Sequence, residues 1–217
     1  MKKELKKDLE EYYNENYVFN NNTFNKYYDY TEINNCIFNK CSFENAKFQG
    51  IDIENSNLNE CNLSNQEITS RSISKTTFKD CNMIGINFSD SYISDVVFEN
   101  CNLLYANFNN TNIKNTSFIN CNLKESSYNE IKWKKLQLNN CNLESVEFHR
   151  TLLKDLDIST CDIKDLKIDI NHIKGLIVNY NQAVQISTIL GIKIKLWLLM
   201  NNYFRFKRKS INNFFSI

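Results

Sequence analysis

Seven of the eight cysteines in this chain follow one another at one constant interval, and this regularity limits the fold more than any other feature. Each of the seven has a large apolar residue two positions later, and the same five-residue register runs without interruption through residues 33–178. A period this strict predicts a solenoid with about 20 residues per turn, in which the cysteines stack above one another. The seven are Cys41, Cys61, Cys81, Cys101, Cys121, Cys141 and Cys161.

Each five-residue unit is expected to place two side chains inside the solenoid. We call the large apolar position i, and the position i−2 holds a small residue in almost every unit. Neither the helical period of about 3.6 residues nor the strand period of 2 produces this pattern. Four units therefore make one square coil, whose face one contains Phe38, whose face two contains Leu63 and whose face four contains Ile113. Asparagine at i−1 is expected to form side-chain ladders between coils.

The units repeat the sequence [Ser, Thr, Ala, Cys or Val]-[Asp or Asn]-[Leu or Phe]-x-x, and face two repeats Cys-Asn-Leu almost unchanged, as in Cys101-Asn102-Leu103. This motif resembles the pentapeptide-repeat family over residues 33–178. The resemblance implies an all-β fold, a right-handed quadrilateral pentapeptide-repeat β-helix in which four units make each coil of the solenoid, with a short C-terminal α-helix. The five-residue period by itself leaves the handedness open.

We divide the chain into four segments. They are an N-terminal helix with an out-of-phase capping coil (residues 1–32), the β-helix (33–178), a C-terminal helix and strand for dimerisation (179–195) and a basic aromatic tail (196–217). In the first segment, Phe19 and Phe24 stand one residue out of phase with Ile33, which predicts a slip near residues 27–30. The charged residues 2–12 are expected to form the short helix.

The pattern changes to a helix after residue 178. Asn179 or Asn181 can cap its first turn, and Gly191 ends it. Ile192 and Ile194 then alternate with lysines as in a short strand. Because the open end of a solenoid exposes core residues, an apolar helix there either covers the monomer or packs on a second copy across a two-fold axis. The residues expected in the dimer interface are Ala183, Val184, Ile186, Ile189, Leu190 and Ile192.

Two polar residues, Gln66 and Arg71, occupy i−2 positions that should point inward. An unpaired charge in the core is costly. Two explanations remain open at this point. Either the coil bulges outward over residues 64–75, which we expect, or Arg71 bends out to solvent.

The residues that could carry chemistry are too scattered for a catalytic or metal site. His149 and His172 are the only histidines, and they fall in different coils and on different faces. Cysteines that stack inward do not provide the tetrahedral ligand set that zinc prefers. No glycine-rich phosphate loop and no Ser/His/Asp spacing occurs. We therefore expect a protein that is not an enzyme and that holds no metal and no cofactor.

Cysteine usage and the N-terminus predict a reduced, cytoplasmic protein. A disulfide scaffold would be smaller and irregularly spaced. Residues 1–11 are charged throughout and lack the apolar stretch of a secretory signal. The most hydrophobic run, residues 186–200, contains two lysines and is too short to span a bilayer.

Acidic residues are concentrated in the first coils, where residues 42–100 hold nine acids against four bases. Because coils stack, Glu60 and Asp80 share one column, and Asp90 shares another with Glu130. Such rows could imitate a DNA phosphate backbone, or they could only keep a long β surface soluble. The nine candidates for partner binding are Glu44, Asp52, Glu54, Glu60, Glu67, Asp80, Asp90, Asp95 and Glu99.

Basic residues are concentrated elsewhere. Lys114, Lys134, Lys154 and Lys174 form a column on face four that suits nucleic acid, but nearby acids argue against direct nucleic-acid contact, which we do not expect. Residues 170–217 contain seven bases and no acid. The tail, residues 196–217, mixes these bases with aromatic residues, which is typical either of contact with a membrane surface or of a poorly ordered extension. We expect the extension.

The C-terminal sequence Ile173-Lys174-Gly175-Leu176-Ile177-Val178, followed by Gln182-Ala183 and Leu190-Gly191-Ile192, resembles the end of Qnr-type quinolone-resistance proteins within this family. The resemblance implies a homodimer joined through the C-terminal helices that binds the type II topoisomerases DNA gyrase and topoisomerase IV and protects them from fluoroquinolones. Because the register has no insertion, the chain resembles the loop-less, Gram-positive-like subgroup. The alternative is an interaction scaffold with an unrelated protein partner.

Overall fold

The computed structural model describes residues 3–194. In this part the chain forms a β-helix of about eight turns, followed by one short α-helix, as predicted. The first compact unit ends at Asn179 and the second begins at Tyr180. The strands are β1 (Glu4–Lys6), β2 (Tyr13–Glu15), β3 (Tyr17–Asn20), β4 (Tyr27–Tyr28), β5 (Thr31–Asn34), β6 (Ile37–Asn39), β7 (Lys47–Phe48), β8 (Ile51–Glu54), β9 (Asn57–Asn59), β10 (Ser72–Ser74), β11 (Thr77–Lys79), β12 (Tyr92–Ser94), β13 (Val97–Glu99), β14 (Asn112–Ile119), β15 (Lys132–Asn139), β16 (Glu147–Phe148) and β17 (Lys167–Ile168), and the helix is α1 (Tyr180–Ile189).

The largest sheet wraps around two adjacent faces of the coil. One arm covers face one in the order β1-β3-β6-β9-β11-β13, and the other covers face four in the order β2-β5-β8-β10-β12. Both arms meet in β14, which turns the corner between the two faces, and β15 pairs with β14. Pairing is parallel, and from β4 onward it joins residues that stand one full coil apart, so that Phe78 lies opposite Phe98.

Faces two and three are held mainly by single bridges between coils. Asn82 pairs with Asn102 on face two, and Asn87 pairs with Asn107 on face three. The predicted asparagine ladder is present on face two, where the Asn122 Nδ2 donates to the Asn102 Oδ1 at 2.9 Å. These bonds tie each coil to the next on the faces that lack long strands.

The interior is a stack of aromatic and aliphatic side chains, as the register predicts. On face one, Phe98 lies between Phe78 and Phe118, with ring centroids 5.0 and 4.6 Å away and planes nearly parallel. Burial of one such side chain stabilises the fold by about 1.5–3 kcal/mol. The column of stacked rings therefore makes a large contribution to coil cohesion.

The corners of the coil lie at position i+2, which the sequence pattern does not mark. Residues there adopt left-handed backbone conformations, for example Asn100 at φ 54° and Asp80 at φ 54°. Asparagine and aspartate tolerate this region, but Tyr105 (φ 61°) and Lys75 (φ 47°) adopt it as well. The coil geometry thus forces the left-handed conformation on residue types that seldom adopt it. For this reason, no single residue type is required at the corner position.

The predicted N-terminal helix over residues 2–12 is wrong. Residues in β1 instead pair in parallel with β3, so that Lys6 lies opposite Phe19. A short isolated helix is only marginally stable in water, whereas the edge of an existing sheet offers partners for backbone hydrogen bonds.

The predicted slip is present slightly earlier than expected. Thr23 lies opposite Ser42, one residue short of a full coil, whereas Tyr28 already lies a full coil from its partner Phe48.

The bulge predicted over residues 64–75 is also wrong, because Asn62 still pairs with Asn82 and β10 still pairs with β12. Gln66 stays inside the coil, where its Nε2 donates to the Phe43 carbonyl at 2.8 Å. Arg71 turns toward the surface over Gly50, where a side chain on residue 50 would collide with the guanidinium. Its Nη2 donates to the Gln49 carbonyl at 3.2 Å, and its guanidinium lies 5.5 Å from the Tyr30 ring.

Helix α1 ends as predicted at Gly191, whose φ is 72° and whose amide donates to the Thr188 carbonyl at 3.0 Å. The predicted strand beyond it is wrong for residues 192–194, which pair with no strand of the described part of the chain. Lys195 and the predicted tail, residues 196–217, lie outside the described residues. Within residues 3–194, no helix has the length and apolar character that crossing a bilayer requires.

Candidate partner-binding surfaces

The nine predicted acidic residues are spread over all four faces instead of forming one anionic patch. The structure places Glu60 and Asp80 on successive coils, at the corner between faces one and two. The Lys40 ammonium lies 3.5 Å from Glu60, and Asp80 accepts a hydrogen bond from the Asn100 side chain at 2.9 Å. Both acids are exposed. Of the nine predicted residues, only these two lie on successive coils in the same column.

The other acids bond to neighbours one coil away. Glu54 pairs with Lys75 at 3.0 Å, and Glu99 pairs with Lys79 at 3.1 Å. Exposed ion pairs of this kind contribute little to stability, but they neutralise charge locally. The acids with amide or backbone donors are Glu44 with Asn62, Asp52 with Ser72, Glu67 with Asn87 and Asp95 with Asn115, while Asp90 stands exposed at the corner between faces three and four.

Glu32 was missed by the sequence analysis, although it occupies the same column as Asp52. The Tyr30 hydroxyl donates to Asp52 at 2.8 Å and to Glu32 at 3.1 Å. The hydrogen bond to Asp52, burial and the hydrogen bond to Glu32 together raise the pKa of Tyr30 to about 12. With Glu54, these carboxylates make the first coils of face four acidic.

Face four therefore changes sign along the β-helix. Its outward positions are acidic at Glu32, Asp52 and Glu54 and become neutral from Ser72 to Ser94. Beyond them the outward positions carry lysines that form no ion pair with a described residue. The predicted column contains Lys114, Lys134, Lys154 and Lys174, and Lys132 adds a lysine on the same face, in the neighbouring column of Asn112.

The residues proposed for dimerisation differ in exposure on α1 and beyond it. Ala183, Ile189 and Ile192 are exposed, and Val184 and Leu190 are half-buried. Ile186 is buried within one chain, so its side chain already has neighbours in the monomer. Ile189 and Ile192 keep 48% and 53% of their surfaces exposed.

A family model described as pentapeptide repeat region matches three overlapping segments, residues 31–108, 71–148 and 94–177. The chain belongs to the pentapeptide-repeat family. Members of this family are generally not catalysts. Among residues 3–194, no group of three or more His, Cys, Asp or Glu side chains could hold a metal ion. His172 instead pairs with Asp169, with 2.8 Å between the Nδ1 and Oδ2 atoms.

Solved structures of QnrB1, a plasmid-mediated fluoroquinolone resistance protein, share the fold. Full-length QnrB1 is 20% identical with a TM-score of 0.55, and the match covers 81% of this chain and 91% of QnrB1. A trypsin-treated variant of QnrB1 is 19% identical with the same TM-score of 0.55, over 88% of this chain and 99% of that one. Identities at this level establish a common fold and nothing finer. No curated protein matches the sequence.

The cysteine column of this pentapeptide-repeat protein is part of its core. All eight cysteines are buried. The Cys101 Sγ lies 3.4 Å from the carbonyl oxygen of Phe78, and each later cysteine repeats this contact one coil further on. Burial raises the pKa of the Cys36 thiol. Cys36 lies outside the column of seven. Within that column, each buried cysteine fills the small inward position i−2 as a small apolar residue, so the column serves packing.

Proposed function

We propose that this protein binds a bacterial type II topoisomerase, DNA gyrase or topoisomerase IV, and protects it from fluoroquinolones. The observation that carries the proposal is the exposed corner column in which Glu60 and Asp80 stand on successive coils. The fold shared with QnrB1 and the Qnr-like C-terminal sequence support it.

The physical basis is attraction between these carboxylates and an enzyme surface that normally holds DNA. Successive coils repeat every ~4.8 Å, which gives a regular spacing of anionic groups along the corner. A basic surface attracts such a row and orients it during encounter. Binding in place of DNA would destabilise the cleaved complex on which the drug acts.

A supercoiling assay tests this function directly. The purified protein is titrated into DNA gyrase with and without ciprofloxacin. We expect restored supercoiling at low protein concentration in the presence of the drug, and inhibition at high concentration in its absence. No effect in either arm would contradict the proposal and leave an interaction scaffold as the remaining hypothesis.

The double substitution Glu60→Lys and Asp80→Lys should weaken this protection by about tenfold or more, because two attractive charges become repulsive. The fold should survive, since Lys40 and Lys75 already adopt the same left-handed conformation. The matched control changes Glu125 and Asp165, which are exposed corner residues elsewhere, to lysine. Equal losses in both double variants would assign the effect to net charge instead of this column.

The homodimer is proposed to form through the exposed apolar residues of α1 and Ile192. Replacing Ile189 by lysine should yield monomers, because a charge would be buried between two copies. Light scattering measures the mass, and Gln185→Lys, an exposed polar position of the same helix, is the control. A dimer that persists in the Ile189 variant would place the interface elsewhere.

A further inference from the structure

The wall of the β-helix is open between two successive coils on faces four and one. Strand β15 pairs with β14 on one side through seven register pairs, but no described strand pairs with its other side. The facing segment, residues 151–160, keeps the period of the repeat. Normal pairing resumes at once, with Asn142 opposite Asp162 and Glu147 opposite Lys167. We call this gap the open seam; it separates residues 132–139 from residues 152–159. At its two ends, the amides of Ile131 and Asn140 still donate to the hydroxyls of Thr151 and Thr160, at 3.2 and 3.0 Å.

The next pair of coils shows which hydrogen bonds the open seam lacks. There, the amides of Leu153, Asp155 and Ile158 donate to His172, Gly175 and Ile177 of the following coil at 2.9–3.0 Å. The equivalent amides in β15 belong to Trp133, Lys135 and Leu138. None of these three amides donates to the backbone of residues 151–160. They therefore form an exposed strand edge.

Two oversized side chains explain why the wall opens here. Trp133 occupies the face-four position that holds isoleucine in the five preceding coils, Ile113 among them. Its indole stays half-buried, and its Nε1 donates to the Leu152 carbonyl at 2.7 Å, the acceptor that a backbone amide would otherwise use. Leu136 fills an i−2 position where the preceding coil has Thr116. A core that receives larger side chains without other changes must spread apart.

The open seam is a cleft of about 1260 Å³ with a basic wall. Lys132, Lys134 and Lys135 line the β15 side, and Lys154 lies on the opposite side. None of these lysines forms an ion pair with a described residue. Of the acids in the lining, Glu130 is neutralised by Arg150 at 3.0 Å, and Asp155 and Asp157 remain on the far side.

We propose that the open seam binds an extended acidic peptide of a partner protein, which adds a strand to the edge of β15. An exposed strand edge selects an extended polypeptide, because its amides and carbonyls match those of another strand. The lysines select acidic side chains on that peptide. Trp133 and Leu152, which is 68% exposed, offer apolar contacts. The chain's own tail is an unsuitable occupant, because residues 195–217 contain five bases and no acid.

The test uses the full-length protein and a fluorescein-labelled eight-residue peptide of alternating aspartate and valine, the length of β15. Fluorescence anisotropy should report saturable binding. A peptide of the same length with two valines replaced by proline cannot pair along its backbone and should bind at least about tenfold more weakly. Absence of binding, or equal binding of the proline peptide, would overturn the proposal.

Two protein variants locate the interaction. Lys134→Glu with Lys135→Glu should weaken binding by about tenfold or more. The control, Lys47→Glu with Lys79→Glu on faces three and one, should leave binding unchanged.

Trp133→Ile with Leu136→Thr restores the residue types of the preceding coils and should close the seam. Hydrogen exchange at residues 133, 135 and 138 should then slow, and peptide binding should disappear. Peptide affinity that is unchanged in the seam-closing variant, or a preference for single-stranded DNA over the peptide, would contradict a peptide site.

Discussion

Replacing Phe98 by alanine is expected to lower the free energy of unfolding by about 3–5 kcal/mol, the largest effect of any single substitution considered for this chain. Phe98 has no exposed surface and stands in the middle of the face-one ring stack. Its ring also meets Phe88 and Phe108 edge-on at 6.2 and 6.4 Å. Truncation removes the buried area and these ring contacts, and a cavity between three coils remains.

Urea unfolding followed by far-UV circular dichroism measures this loss. Phe98→Leu is the matched control, because leucine already occupies the same column at Leu58 and Leu138. We expect the leucine variant to lose less than half as much stability as the alanine variant. Equal losses in the alanine and leucine variants would mean that contacts between rings, and not buried volume, are the source of the effect. A loss below about 1 kcal/mol in both variants would mean that neighbouring coils collapse into the space.

Most of the fold follows from the repeat itself. A strict period with one large and one small inward residue per five-residue unit leaves a square coil as the simple solution, and Phe38 and Phe98 lie where that pattern puts them. The short helix over residues 2–12 was wrongly predicted from the charged character of that segment, in which Lys6 and Glu10 stand four residues apart. Their ion pair, at 2.8 Å, forms all the same outside a helix. Pairing with an existing sheet outweighed this local preference.

The candidate surfaces were harder to predict than the fold. Column membership follows from counting coil by coil along the repeat. Glu60 and Asp80 were therefore correctly placed together, and Glu32 could have been found from Asp52 in the same way. Bonds between columns do not follow from counting. Lys75, for example, reaches Glu54 across one coil and one position. The sequence therefore predicted the rows of charge but not which charges neutralise one another.

The open seam shows a second limit of pattern reading. Trp133 satisfies the rule that position i is large and apolar, so the register gives no warning there. Trp133 differs from the isoleucines of the five preceding coils in its larger volume. A pattern that records residue class misses an effect of residue size, although packing at native density is sensitive to a single methylene. The open seam, where the pairing between successive coils is interrupted, is also where a partner peptide is proposed to bind.

Replacing Tyr128 by phenylalanine is expected to stabilise the protein by about 1–3 kcal/mol, the cost of a buried polar group without a partner. The Tyr128 ring is fully buried and stacks between Phe108 and Phe148 at 4.6 and 5.2 Å. Within the described residues its hydroxyl has no hydrogen-bond partner. The Ser126 hydroxyl donates its proton to the Leu123 carbonyl at 2.6 Å, so the Tyr128 oxygen accepts no hydrogen bond from it. Phenylalanine preserves the stack and removes the unsatisfied group.

The pH dependence of the difference in unfolding free energy between the Tyr128→Phe variant and the wild-type protein provides a second, independent test. Burial raises the pKa of Tyr128 well above its ordinary value in the folded protein, whereas in the unfolded chain it titrates near 10. Above pH 10 or so, the unfolded tyrosine therefore loses a proton that the folded one keeps, and the wild-type protein loses stability as pH rises. The phenylalanine variant lacks this loss, so its advantage should grow between pH 9 and pH 11 by roughly 1 kcal/mol. All other groups titrate alike in both proteins and cancel in the difference. A constant difference, or a variant less stable than wild type at pH 7, would mean that the hydroxyl is bonded or hydrated in solution.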